Sequence, residues 1–278
     1  MAPDEGHGFA RPVNSMAMFA AIEKFLTKHL GGRHQAEMPP PVSTRLTEIA
    51  VDPKTVTLAK KVDAKAVSAP KIERQPTAGE ATFQSKVEMG GQSMSLTSTV
   101  TIKQEAAGWV VTETVKTPQG DAVDVVTVEA GTLLAKSRTI TQGPVKFEIG
   151  YADNKVTGSA SMGGGSKPID LDAGGPIFGE GASAQIALGA LPLAPGYTVT
   201  YRTFDPQRFK LVLKQLTVLS VEQVTVPAGT FKAFKVEVKP AEGDPGLQTV
   251  WIAADTRRVV KVAATLPNGA TLTSELTK

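Results

Sequence analysis

The chain has 278 residues, with 30 basic and 27 acidic side chains, a net charge of +3 and no cysteine. That length supports a large core, and the absence of cysteine excludes disulfide frameworks, thiol nucleophiles and thiolate metal sites. The small lysine excess behind a pI near 9.0 is not the field of a nucleic-acid binder. With 41% hydrophobic and 21% charged residues, and only 26 Gly and 19 Pro, this is a folding sequence. All three histidines, His7, His29 and His34, fall in the first 34 residues. Everything after Gln35 therefore lacks an imidazole for a Ser-His pair or a metal site of its own.

Residues 14–30 place Phe19, Ile22, Leu26 and Leu30 at three- and four-residue intervals, one face of an α-helix, with Met18 and Phe25 widening it. Asn14 or Ser15 is placed to cap its start. Gly31-Gly32 ends it, and Lys28 and His29 suit the negative end of its dipole. So wide an apolar stripe needs a partner, and little precedes it, so the helix reads as isolated. No secretory signal is legible at the start, since Pro3, Asp4 and Glu5 stand where a basic region is expected. No segment is long enough to span a bilayer as a helix. Residues 35–79, with Pro39-Pro40-Pro41, Pro53, Pro70 and Pro76 and several lysines, read as a linker carrying at most one short helix near Ser43–Ala50.

From residue 80 the hydrophobic period becomes two. Phe83, Val87 and Met89 alternate with Gln84, Lys86 and Glu88, and Met94, Leu96, Val100 and Ile102 alternate with serines and threonines. The pattern predicts antiparallel strands through Trp109–Lys116, Val123–Glu129, Leu133–Thr141 and Val145–Tyr151. A Gly-rich break at Gly163–Gly181 and one short helix over Ala182–Leu191 follow. Further strands are predicted at Tyr197–Phe204, Phe209–Val226, Thr230–Val238, Thr249–Ala254, Val259–Leu266 and Thr271–Thr277, with Asn268-Gly269 as a hairpin signal. The expected fold is mainly β, a curved antiparallel meander or half-barrel of about a dozen strands over residues 80–278.

Residues Pro3-Asp4-Glu5-Gly6-His7-Gly8-Phe9, with the helix that follows them, resemble the C-terminal end of a prolyl-oligopeptidase-family serine peptidase, an α/β-hydrolase. The resemblance covers residues 1–34 and implies that His7 is the catalytic general base of a peptide-hydrolysing parent. In that family the serine and acid precede the histidine along the chain, and only six residues precede His7. Asp4 and Glu5 do not fit the triad acid, and no nucleophile elbow follows. The triad is therefore incomplete, and this chain is expected to be inactive alone.

The stretch Val226–Val236, containing Phe231 and Phe234, with Trp251-Ile252-Ala253 and Arg257-Arg258-Val259-Val260-Lys261-Val262, resembles the closing hairpins of an uncharacterised family of bacterial β-rich domains. That family is thought to share the half-barrel of the periplasmic lipoprotein carriers, which implies a periplasmic or secreted location. His29 and His34 are separated by Gly31-Gly32, and Asp170 and Asp172 lack further oxygen ligands, so no metal and no cofactor is expected. The glycine runs near 163–181 match no complete phosphate-binding pattern. Two functions compete: the end of a peptidase, whose peptide substrate belongs to the intact parent, joined to an accessory domain, or an envelope binding module holding a lipid or other apolar ligand. A densely filled interior would instead suit a structural cap.

Overall fold

In the computed structural model of the chain, residues 11–52, 54, 62–242, 246–266 and 269–278 are described. The chain divides into two compact units, Met1–Lys60 and Lys61–Lys278.

In the first unit, helices α1 (Pro12–Leu30) and α2 (Pro40–Ile49) pack together through Ala17, Val42 and Ile49, with Ala20, Met38 and Leu46 beside them. The expected isolated helix is thus corrected: α1 has a partner, supplied by the stretch read as a linker. Pro40 and Pro41 do not break α2, because at the first helical positions proline loses no hydrogen bond and its fixed φ suits the helix. On the α1 side the contact is made by the small side chains of Ala17 and Ala20. The stripe read as the packing face stays open, with Phe19 58%, Leu26 44% and Leu30 79% exposed.

The second unit is one antiparallel sheet. Its first half is a meander of β1 (Gly79–Met89), β2 (Gln92–Glu105), β3 (Gly108–Thr117), β4 (Gly120–Glu129), β5 (Ala135–Gln142), β6 (Val145–Ala152), β7 (Lys155–Met162) and β8 (Gly165–Asp172). The second half is β9 (Thr198–Asp205), β10 (Lys210–Val226), β11 (Gly229–Pro240), β12 (Leu247–Ala253), β13 (Val259–Thr265) and β14 (Thr271–Leu276). The halves join where β1 pairs with β14, Phe83 opposite Leu276, so β8 and β9 lie at the two ends of a 14-stranded order. Register shifts in β4/β5, β10 and β12/β13 bend the curved sheet. At the β10 shift Leu219 is left 49% exposed.

One of these strands, β8, runs through the region expected to be a Gly-rich break, and β7 ends just before it. Gly163 and Gly164 form only the turn between them. Gly158, in β7, is required by space: a Cβ there would stand 1.9 Å from the Glu148 carbonyl oxygen. Pro168 is tolerated because β8 is an edge strand, where the missing N–H removes no ladder bond.

Alternation buries one face of the meander. Phe83, Val100, Ile102, Trp109, Val111, Val126 and Val128 meet Leu216, Val218, Val236, Val250, Ile252 and Val260 from the other half. Between β8 and β9 the chain crosses this inner face. Ala135 N–H donates to Ile177 O at 3.0 Å and Phe178 N–H to Arg202 O at 2.9 Å, so residues 177–178 strap the β5 side to β9. A 3-10 turn (Gly181–Ser183) and the single-turn α3 (Ala184–Ala187) follow, and Ile186, Leu188, Leu191 and Leu193 are buried in the core. This segment, 181–193, is the plug. Tyr201 and Phe204 point to opposite faces of β9 and enter different clusters, the second being built from Phe147, Ile149, Tyr151, Val156 and Ile169. Strand β9 is therefore covered on both sides.

Candidate functional site

The plug fills most of the interior: Phe178, Leu191, Leu216 and Ile252 have no exposed surface. It does not fill the end near β1 and β13. There a cavity of about 360 Å³ remains, floored by Phe83, Val100, Ile102, Ile186 and Val259. The floor comes from the alternating inner positions of β1, β2 and β13 and from the plug. Its rim combines residues 74–77, the loop 255–258 and Gly189-Ala190 of the plug. Volumes of this order hold small ligands, and an apolar floor with a few polar groups at the mouth is the usual composition of such sites.

The plug is pinned at both ends. At the cavity end, Glu73 N–H and Arg74 N–H both donate to Ala190 O, at 2.7 and 3.2 Å. Residues 74–77, expected to be linker, instead line the cavity, and Ile72 packs on the core. At the other end stands a buried charge cluster. Arg138 makes a bidentate pair with Asp124, both bonds 2.9 Å, and its Nη1 donates to Glu180 Oε1 at 2.5 Å. Asp124 Oδ2 also accepts from Ala182 N–H at 3.0 Å, and Glu180 Oε2 from Phe204 N–H at 2.8 Å.

Two carboxylates share one guanidinium here, and Glu180, 2% exposed, is the deeper. Burial pushes its carboxyl above the ordinary range against the pull of Arg138. Burial also raises Glu113, which sits directly across from Asp124 in the β3–β4 register and feels its charge. Arg138 stays firmly protonated: burial opposes its charge, but the bonds to Asp124 and the charges of Asp124 and Glu180 outweigh that. Lys214, on β10, is lowered by burial. Among the described residues the buried Tyr151 hydroxyl has no hydrogen-bond partner, and burial raises its ionisation well beyond the usual phenol range. These groups lie against apolar strands, and none of them is an imidazole. Their bonds to the backbone of residues 182 and 204 make the cluster a positioning device.

His7 lies outside the described residues, as do Asp4, Glu5, Lys60, Lys61 and Asn268. The ring of His29 stacks on Phe25, centroids 4.5 Å apart, and His34 is exposed. Asp170 and Asp172 are exposed on β8, where Asp172 Oδ1 accepts from Gly174 N–H at 2.8 Å. Among the described residues no three acidic or imidazole groups gather closely enough to hold a metal ion, and no helix is long and apolar enough to cross a membrane. Sequence reasoning did not single out Arg138, Asp124 or Glu180. The signal was present for the first two, because Asp124 shares its face of β4 with Val126 and Val128, and Arg138 stands opposite Val126. Polar residues at inward positions mark a buried network.

Among solved structures, the hypothetical lipoprotein YmcC of Escherichia coli matches with 13% identity over 88% of this chain and 98% of its own, with a TM-score of 0.35. A protein of YmcC-like fold from Bacteroides fragilis matches with 15% identity over 76% and 98%, TM-score 0.32. A LolA superfamily protein from Nitrosomonas europaea matches with 9% identity over 80% and 93%, TM-score 0.22. Likenesses this distant say nothing of ligand or activity, and no peptidase is among them. No curated protein matches the chain. Residues 79–277, the whole sheet with its strap and plug, match one family over its full strand order, and the chain belongs to that family, the proteins of unknown function DUF3108.

Proposed function

We propose that the β-unit is a binding module whose inner face holds an apolar ligand, such as an acyl chain, in the cavity between the plug and β1, β2 and β13. The observation that supports this is the floor itself. Phe83, Val100, Ile102, Ile186 and Val259 surround about 360 Å³ that no side chain among the described residues occupies. A volume of that size matches roughly a dozen water-sized groups at about 30 Å³ each. An apolar chain entering it gains about 0.8 kcal/mol per buried methylene before ordering costs are subtracted. The filled remainder of the core is what a purely structural cap would show, and the unfilled end is what argues against one. An envelope location is the expectation attached to the half-barrel resemblance.

The competing reading, peptide hydrolysis by an intact parent, rests on residues 1–34 alone and draws nothing from this cavity. Saturable binding of a fluorescent fatty-acid analogue to the full chain tests the proposal. Ala81→Leu, which adds bulk at the cavity wall, should weaken binding at least tenfold without lowering the melting temperature. Leu219→Asp, at the exposed bulge of β10, should leave binding unchanged. Absence of saturable binding, or equal loss in both variants, would overturn the proposal.

A further inference from the structure

Three arginines stand on the rim of the cavity: Arg74 from the segment before β1, and Arg257 and Arg258 from the loop between β12 and β13. Arg257 is held in an unusual way. Its backbone is left-handed, φ +58°, and its side chain is only 11% exposed. Its guanidinium carbon stands 4.8 Å from the centre of the Phe234 ring. Among the described residues the buried Nε has no hydrogen-bond partner, Nη1 reaches Leu191 O only at 3.4 Å, and Nη2 makes one long ion pair, 3.7 Å from the carboxylate of the half-exposed Glu73.

The other two are no better satisfied. Arg74 Nη1 donates to Asp255 O, and Arg258 Nη2 to Ala78 O, each at 3.4 Å. All of these are long contacts, beyond the 2.7–2.9 Å of charge-assisted bonds, and the hydrogen-bonded acceptors are neutral carbonyls. The same fold shows what a satisfied guanidinium looks like, since Arg138 binds two carboxylates at 2.5–2.9 Å. The two rim acids, Glu80 and Asp255, form no ion pair with the three arginines among the described residues, and Asp255 Oδ1 accepts instead from the Thr256 N–H at 2.7 Å. The mouth of an apolar cavity therefore carries unspent guanidinium donors, whose planar fork matches a carboxylate or phosphate.

We propose that the cavity takes an amphiphile with an anionic headgroup, a carboxylate or phosphate held by Arg74, Arg257 and Arg258, with its apolar chain lying over Phe83, Val100 and Ile102. This rests on the reading of the cavity as an apolar ligand site and adds the chemistry of the ligand's other end. Cation and floor act together. The chain supplies burial and the headgroup supplies orientation, while a small anion alone gains only the solvent-facing part of the interaction.

The test is displacement of the neutral fluorophore N-phenyl-1-naphthylamine from the full chain by three probes below their micelle-forming concentrations. The probes are dodecanoate, dodecyl phosphate and the uncharged monododecanoylglycerol, with inorganic phosphate and acetate as chainless controls. The expected result is that both anionic amphiphiles displace the fluorophore at least tenfold more effectively than the uncharged one. That preference should shrink with added salt, and the chainless anions should do nothing. Arg74→Gln, on an exposed side chain, should erase most of the preference while leaving monododecanoylglycerol unchanged, and Arg257→Gln should do the same. Equal displacement by charged and uncharged amphiphiles, or a preference that survives both variants, would overturn the headgroup assignment and leave the apolar site standing. Failure of the fluorophore and all three amphiphiles to bind would overturn both. Displacement or thermal stabilisation by phosphate or acetate alone would show a free-anion site and overturn the amphiphile.

Discussion

Removing the Glu180 carboxylate tests whether the charge cluster fixes the plug. In Glu180→Ala, Phe204 N–H is left buried without an acceptor, a loss of about 1–3 kcal/mol. Breaking a buried ion pair from one side costs about 3–5 kcal/mol when the remaining charge has no other partner. Arg138 keeps both bonds to Asp124, so no uncompensated charge is left, and the variant should lose about 2 kcal/mol, chiefly through the unpaired Phe204 N–H. For a unit of this size that lowers the melting temperature by roughly 4–8 °C. Glu180→Gln keeps an oxygen for Phe204 N–H and removes a charge that burial already disfavours, so a smaller loss than in Glu180→Ala is expected.

The pH dependence has a definite sign. Burial raises the Glu180 carboxyl, so between the ordinary glutamate value and its folded value the native state holds a proton that the unfolded chain has released. The Glu180 contribution to stability is then full on the acid side and falls as pH rises through that window. Glutamine does not titrate. The stability advantage of the parent over Glu180→Gln should therefore shrink as pH rises from about 4.5. Urea unfolding of the three proteins at several pH values measures both quantities. A loss under about 1 kcal/mol in Glu180→Ala, or an advantage that grows with pH across the window, would refute the reasoning.

Gly189→Ala should be more harmful than its size suggests. The added Cβ would stand 2.1 Å from the Arg257 carbonyl oxygen, so the plug or the loop must move, at about 1–3 kcal/mol, and calorimetry should show a lowered melting temperature. A fluorophosphonate probe should leave the chain unlabelled, because no serine is presented on a nucleophile elbow and residues 35–278 contain no histidine. Stoichiometric labelling that disappears in His7→Ala would instead bring the peptidase reading forward.

Strand parity was the most legible feature of the sequence. Phe83, Val100, Ile102, Val126 and Val128 lie on the inner face that alternation assigns them, because a one-residue slip would expose the whole set. Where residues were chosen for close approach or for an edge, parity faded. Pro168 falls in the stretch read as a Gly-rich break, yet it sits where no N–H is needed, and Gly158, in a stretch assigned to no strand, sits where no Cβ fits. Helix α2 was legible only as a short possibility inside a proline-rich stretch, since Pro39–Pro41 suit its start as well as they suit a linker. The apolar stripe of α1 predicted a buried face, but contact with α2 runs through alanines that carry no amphipathic signal. The plug was visible as Ile186, Leu188 and Leu191 before Pro192. Its α-helical part shrinks to four residues because the turn before it is 3-10. Of the candidate site, Arg257-Arg258 was noticed only as part of a hairpin likeness, and Arg74 was assigned to the linker. Their convergence joins residues more than 180 positions apart and has no local sequence signature.

The placement of the cavity follows from how unequally the plug is held. An apolar cluster in place of Arg138, Asp124 and Glu180 would bury as much surface, and buried ion pairs seldom stabilise more than such replacements do. It would not, however, give acceptors to the N–H groups of Ala182 and Phe204, which Asp124 and Glu180 supply at 3.0 and 2.8 Å. Those bonds fix the start of the plug against β4 and β9. Ten residues later the plug is fixed again, by Ala190 O accepting from Glu73 and Arg74 and by Gly189 lying against the Arg257 carbonyl. Between these two anchors the backbone turns through a single helical turn, too short for its side chains to reach both the β6–β7 side and the β1–β2 side of the sheet. Ile186 reaches toward Phe83 and Val100 but leaves the space beneath Arg74 and Arg257 unfilled. The cavity is thus set by the spacing of two polar anchors, and its arginine rim is set by the same contacts that hold the plug's second end.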